Sequence, residues 1–246
     1  MGDYITSVGS EAKYKANALM LPHLGLQGMT CASVLSLPAE NWNWEMMVAA
    51  AYPEIRFTFY GAELNPVRHR AALDKAARLN AKTNNINCIL LPCADLTDLL
   101  AEGGHIPDHS VDLAYLDWMG TWGTSKRQQI MMVCARYLKP DNAKIMTTLS
   151  NCRGIGPELE LVKSMTSRVW PGARLKDIRT CAKYYKPVEL VSHYSLAGVS
   201  TRIANIARTA GRLRADRVMA VGYRGGDDNT NHGNTEVCML LNTKRI

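Results

Sequence analysis

The chain has 246 residues, 47% apolar and 21% charged, enough for one sizeable core, so a single domain of α/β or α+β type is expected behind a short helical extension at residues 1–30. No stretch reaches the ~18 uncharged apolar residues of a membrane span, and Met1 to Lys15 mixes acids with bases, so neither a membrane anchor nor a secretory signal is expected. Residues 1–150 hold 13 Lys/Arg against 14 Asp/Glu and residues 151–246 hold 16 against 8, which fits either a nucleic-acid-facing flank or a basic surface kept for solubility.

Apolar, β-branched-rich runs alternate with helix-like stretches. Cys31 to Leu37 reads as a first strand and Trp42 to Ala51 as the helix after it; Arg56 to Leu64 reads as a second strand. Pro66 then opens a helix through Ala81. Ile86 to Leu91 and Val111 to Leu116 read as strands three and four, Ser125 to Leu138 as a helix stopped by Lys139-Pro140, and Ala143 to Leu149 as strand five. This rhythm implies right-handed crossovers and a parallel sheet covered on both faces. Val162 to Trp170 and Ser200 to Ala210 read as helices, and Arg217 to Arg224 and Glu236 to Asn242 as two closing strands. The link between these strands, Gly225 to Asn234, is turn-rich and too short for a helical crossover, so they should be antiparallel neighbours. The fold expected is a doubly wound, mostly parallel seven-stranded sheet closed by a C-terminal antiparallel hairpin.

Open doubly wound sheets bind ligands at the carboxyl ends of their strands. The residues expected there are Leu37, Pro38, Ala39, Glu40, Asn41 and Trp42 after strand one, Glu63 ending strand two, Asp95 after strand three, and Asp117-Trp118-Met119-Gly120 after strand four. Each acid alone could be a helix cap or a solvated loop residue. Glu63 lies 23 residues beyond Glu40, near the spacing at which nucleotide-binding α/β folds place a ribose-binding acid. Trp42, Trp44, Trp118 and Trp122 fall near the same edge, where Trp118 and Trp122 would suit stacking on a base.

YGAELN, LPCADL and YLDWMG, followed by the closing strands RVMAVGY and EVCMLLN, resemble the class I S-adenosylmethionine-dependent methyltransferases in topology and acid placement, over roughly Cys31 to Asn242. The resemblance implies S-adenosylmethionine as cofactor. Glu63 would hold its ribose, Asp95 would neighbour its adenine, and Leu37, Pro38, Ala39 and Glu40 would line its methionine part. Asp117 and Trp118 would lie between methyl donor and acceptor, Asp117 as orienting group or base and Trp118 as a stacking ring. The family's first turn is an acid-x-Gly-x-Gly stretch, whereas this chain has Ser36-Leu37-Pro38-Ala39-Glu40-Asn41. Either Glu40 or Asn41 takes over the ammonium and carboxylate of the cofactor, or the site is lost.

Other chemistry is less well supported. Pro92-Cys93 follows strand three, not the strand-four position of the cytosine-C5 enzymes' nucleophile, so Cys93 reads as a small buried hydrophobe. Seven cysteines without Cys-x-x-Cys and six histidines without ligand spacing predict a reduced cytoplasmic protein with no structural metal. Gly154-Ile155-Gly156 follows strand five rather than strand one, which disfavours a nicotinamide enzyme. Arg202, Arg208, Arg212, Arg214, Arg217 and Arg224 fall within 23 residues, opposed only by Asp216. The first four are the expected nucleic-acid contacts. The leading expectation is a methyltransferase acting on RNA or DNA. The alternative is an inactive module of the same fold that binds nucleic acid or a protein.

Overall fold

The computed structural model describes residues 7–118, 124–151, 203–225 and 234–245. The expected helix at Val162–Trp170, the Gly154–Gly156 turn, Met119-Gly120, Trp122, Arg202 and the middle of the Gly225–Asn234 link lie outside them. In chain order the elements are α1 (Ser7–Met20), β1 (Cys31–Ser36), α2 (Asn43–Ala51), β2 (Arg56–Gly61), α3 (Pro66–Lys82), β3 (Ile86–Leu90), α4 (Leu96–Glu102), β4 (Leu113–Asp117), α5 (Thr124–Met132) and β5 (Asp141–Asn151). A helix at 203–211 precedes β6 (Leu213–Gly225) and β7 (Asn234–Arg245).

The strands form one sheet of order β3-β2-β1-β4-β5-β7-β6. Pairs among β1 to β5 are parallel, and β7 runs antiparallel to both β5 and β6. The turn-rich link therefore joins antiparallel neighbours, as a link too short for a helical crossover requires. β1 and β4 are covered on both faces, which is why they read as near-continuous apolar runs. Val34, Leu113, Tyr115 and Met146 face a cluster with Met20, Trp44 and Val48. Leu35, Ala114, Leu116 and Ile145 face a second cluster with Leu99, Ile130 and Ile203. Hence α1 and α2 cover one face, and α4, α5 and the 203–211 helix cover the other.

Local sequence explains the element boundaries. Asn65 caps α3, its side-chain oxygen accepting from the N–H groups of Val67 and Arg68 at 3.0 and 3.1 Å, with Pro66 as the first helical residue. α4 was not expected; Asp95 caps it and Leu96, Leu99 and Leu100 form its buried face, the i, i+3, i+4 spacing of a helix. The helix expected through Leu138 is regular only to Met132 and ends in one π turn, Val133–Tyr137. β2 stops at Gly61, three residues before Leu64. Along the outer edge of β3, Asn80 of α3 accepts from the Cys88 N–H at 2.7 Å and donates to the Cys88 carbonyl at 2.9 Å.

Candidate active site

The carboxyl ends of the parallel strands bring together Ser36 of β1, Gly61 of β2, Leu90 of β3 and Asp117 of β4, the last level with Thr148 of β5. The turn leaving β1 has no glycine, yet Ala39 and Trp42 take left-handed φ values of 50° and 57°. That conformation costs an ordinary residue about 1–2 kcal/mol. Trp42 holds it in place: its ring is fully buried and its indole N–H donates to the Ala72 carbonyl of α3 at 3.0 Å. A Cβ at Gly61 would sit 2.5 Å from that ring and 2.8 Å from Pro38. The chain thus follows a glycine-type path without glycine, fastened to β2 and α3 by one indole.

The acids at the strand ends are partly engaged. Glu63 Oε1 accepts from the Asn65 N–H at 2.8 Å, and Asp95 Oδ1 accepts from the Thr97 N–H at 2.7 Å. Among the described residues, each carboxylate's second oxygen accepts no hydrogen bond. Glu40 accepts a 3.4 Å contact from the Asn41 amide. Leu37 packs half-buried on the α4/α5 side, Pro38 is buried and Ala39 is exposed.

Asp117 forms an ion pair with Lys13 of α1. Beside this pair, on the first turn of α2, lies Glu45, only 1% exposed. Its carboxyl is raised to about 7, by burial above all and by the Asp117 charge in smaller part, against the opposing pull of Ser36, its own N–H and Lys13. The Ser36 contact falls short of a full hydrogen bond, and both Ser36 Oγ and Glu45 Oε2 lack a partner. Next to them Tyr115, with its hydroxyl pushed well above the ordinary range by burial, donates to Asn17 of α1 at 3.2 Å and packs against Trp44, the rings tilted by 37° with centres 4.2 Å apart. On the opposite face Trp118 is 7% exposed. Its indole N–H donates to Gln129 of α5 at 2.6 Å, and Gln129 donates to Thr97 of α4 at 3.1 Å.

The sequence reading thus located Glu63, Asp95, Asp117 and the first turn at one edge, and missed Glu45 and Lys13. An acid one turn into the helix after β1 was the available signal for Glu45. Nothing in the sequence joins Lys13 to a residue 104 positions away. Cys93, expected to be buried, is exposed, its thiol donating to the Leu64 carbonyl at 3.3 Å. The expected basic contacts lie elsewhere. Arg208 is exposed on the 203–211 helix, and Arg212 and Arg214 lie where β6 starts. Arg214 is opposite Lys244, which pairs with Asp141 at the start of β5, so this basic group is at the amino edge, across the sheet from Asp117. A cleft of about 450 Å³, lined in part by Leu26, Asp112 and Lys144, opens at the same edge. No group of three or more His, Cys, Asp or Glu among the described residues could hold a metal ion, and no helix among them is long and apolar enough to cross a membrane.

No protein-family model and no curated protein matches the chain. Solved structures do. The chain superposes on TYW2 of P. horikoshii in complex with MeSAdo with a TM-score of 0.52 at 10% identity, over 94% of this chain and 64% of that one. For the small RNA methyltransferase HEN1 the values are 0.52 and 10%, over 95% and 26%. For the mitomycin 7-O-methyltransferase MmcR they are 0.50 and 14%, over 98% and 56%. The chain spans less than two thirds of each of these structures. The likeness is one of architecture: this chain has the class I methyltransferase fold.

Proposed function

We propose that the protein is an S-adenosylmethionine-dependent methyltransferase acting on a nucleic acid. The observation that carries the reading is the carboxyl edge of the sheet, where Glu63 and Asp95 each keep an oxygen in reserve and a buried acid lies beside an ion pair. The fit to the cofactor is supported by the left-handed Ala39 and Trp42, which keep open the backbone path that glycines give the family. Bound there, S-adenosylmethionine would supply a methyl group activated by its sulfonium. Glu63 would accept the ribose hydroxyls, Asp95 would border the adenine, and Leu37, Pro38, Ala39 and Glu40 would line the methionine part. Asp117 would orient the acceptor or take its proton, its charge held in place by Lys13. Trp118 would wall the acceptor side, its indole fixed by Gln129. Alignment and exclusion of water would do the rest, without a covalent nucleophile.

Binding to nucleic acid is supported by the net charge of +7, by the exposed Arg208, Arg212 and Arg214 at the amino edge, away from Asp117, and by the likeness to a small RNA methyltransferase. A reducing, cytoplasmic setting belongs to the same reading, since the five cysteines among the described residues are all free. Thermal unfolding with the cofactor and with S-adenosylhomocysteine tests the activity: a ligand at a hundredfold excess over its Kd adds about 2.7 kcal/mol of stability. No stabilisation by either at millimolar concentration rejects the reading. Glu63→Gln should weaken cofactor binding by about tenfold, as loss of a charge-assisted hydrogen bond of ~1.5 kcal/mol predicts. For the acceptor, log K for RNA should fall with log salt by about 0.7 per phosphate contacted. An Arg208/Arg212/Arg214→Ala variant should lose about two units of that slope. An unchanged slope points instead to a small-molecule acceptor.

A further inference from the structure

We infer that Glu45 is a positioning residue that matches the charge of the carboxyl edge to a cationic ligand, releasing its own proton when that ligand binds. The inference rests on the methyltransferase reading and concerns a side chain that the reading does not otherwise use.

Four elements converge on this carboxyl. It belongs to α2 and is 1% exposed; Ser36 comes from β1, Asp117 from β4 and Lys13 from α1. Oε2 of Glu45 and the Ser36 hydroxyl are buried beside each other without completing a hydrogen bond. A carboxyl left this way in an apolar layer costs stability, so its presence calls for a role other than holding the fold. The charge count supplies one. With Glu45 protonated, Lys13 and Asp117 cancel and this group of three side chains is neutral. With Glu45 ionised, the group carries one net negative charge.

S-adenosylmethionine and S-adenosylhomocysteine differ in that the first has a sulfonium and the second a neutral sulfur. The edge should therefore ionise for the first and not for the second. Because Glu45 titrates at about 7, the exchange falls within the neutral range. The other titratable groups facing it do not compete there. Burial pushes Tyr115 of β4 well above its usual value, and Cys88 of β3 rises to about 12, through burial first and the Glu45 charge second. Both stay neutral across this interval, which among the described residues leaves Asp117 and Lys13 as the flanking charges.

The test is titration calorimetry on the full chain between pH 6 and 8.5, in two buffers of different ionisation enthalpy, with each ligand. The affinity for S-adenosylmethionine should rise about tenfold with pH, the equivalent of one pKa unit on Glu45, with net proton release near pH 6.5. The amino-acid part is common to both ligands, so the affinity for S-adenosylhomocysteine should follow a flatter profile. Glu45→Gln should flatten the first profile onto the second. Lys13→Met, which removes the cation that lowers Glu45, should move the midpoint to higher pH. Identical profiles for the two ligands, or a Glu45→Gln protein that keeps the steep one, overturn this inference and leave the methyltransferase reading standing. Failure of both ligands to bind overturns the two together.

Discussion

The two edges of the sheet treat buried polar groups in opposite ways. At the amino edge Asp112 accepts from the Ser33 N–H at 2.8 Å and from Lys139 at 2.7 Å. Lys144 donates to Asn242 at 2.7 Å, and Thr243 to the Ala143 carbonyl at 2.8 Å. At the carboxyl edge Ser36, Trp44, Glu45 and Thr147 each leave a buried polar atom unpaired, and elsewhere among the described residues only His105 does. Most buried polar groups in folded proteins are paired, so a cluster of exceptions calls for an explanation. The amino edge holds β1, β4, β5 and β7 together. The carboxyl edge bears a burden that the fold does not need, which is what the proposed site would require.

Substitutions can test this contrast, and the largest effect is expected at Glu45. A carboxyl at about 7 in the folded chain and near 4.5 in the unfolded one favours folding below pH 4.5 and loses that benefit as pH rises through 7. Two and a half units correspond to roughly 3 kcal/mol. Glu45→Gln should therefore match the parent's stability near pH 4.5 and exceed it by a few kcal/mol at pH 8, in denaturant melts at both pH values. Parallel pH profiles would show that Glu45 is not buried in solution as it is here.

Asp112→Ala comes next, with the opposite sign. It orphans the Ser33 N–H and Lys139, and a loss of about 2 kcal/mol in the same melts is expected. Ser36→Ala should change stability by no more than about 1 kcal/mol, because its hydroxyl makes only an incomplete contact with the Glu45 carboxyl. A loss as large as that of Asp112→Ala would erase the contrast between the edges. The smallest change is Ala39→Gly. It relieves a left-handed alanine but loosens the unfolded chain, so the melting temperature should rise slightly or hold.

The fold was legible because its signals are local. Asn65-Pro66 announces α3, the apolar runs of β1 and β4 announce a sheet covered twice, and the link at Gly225–Asn234 dictates antiparallel closure. α4 escaped because at seven residues it is short, and its capping Asp95 read equally well as a ligand residue. In the structure Asp95 does cap the helix while keeping one oxygen in reserve. The site was legible only where residues follow strand ends. Glu45 sits among Trp44, Met46, Met47 and Val48, where an acid in a first turn has an ordinary electrostatic explanation. Its burial is a tertiary fact. The left-handed Ala39 and Trp42 were invisible for a similar reason: neither residue type favours that conformation, and only the fit of the Trp42 indole against Gly61 and Ala72 enforces it.

The amide of Asn80 has a consequence for how these molecules behave in a crowd. β3 is an outer strand of the sheet, and a bare outer strand is a template onto which another chain can add. By taking both the N–H and the carbonyl of Cys88, the side chain imitates one residue of a neighbouring strand and occupies the place where an intruder would register. Removing it, as in Asn80→Ala, should matter less to a dilute sample than to a concentrated one, where sedimentation would reveal pairs growing edge to edge.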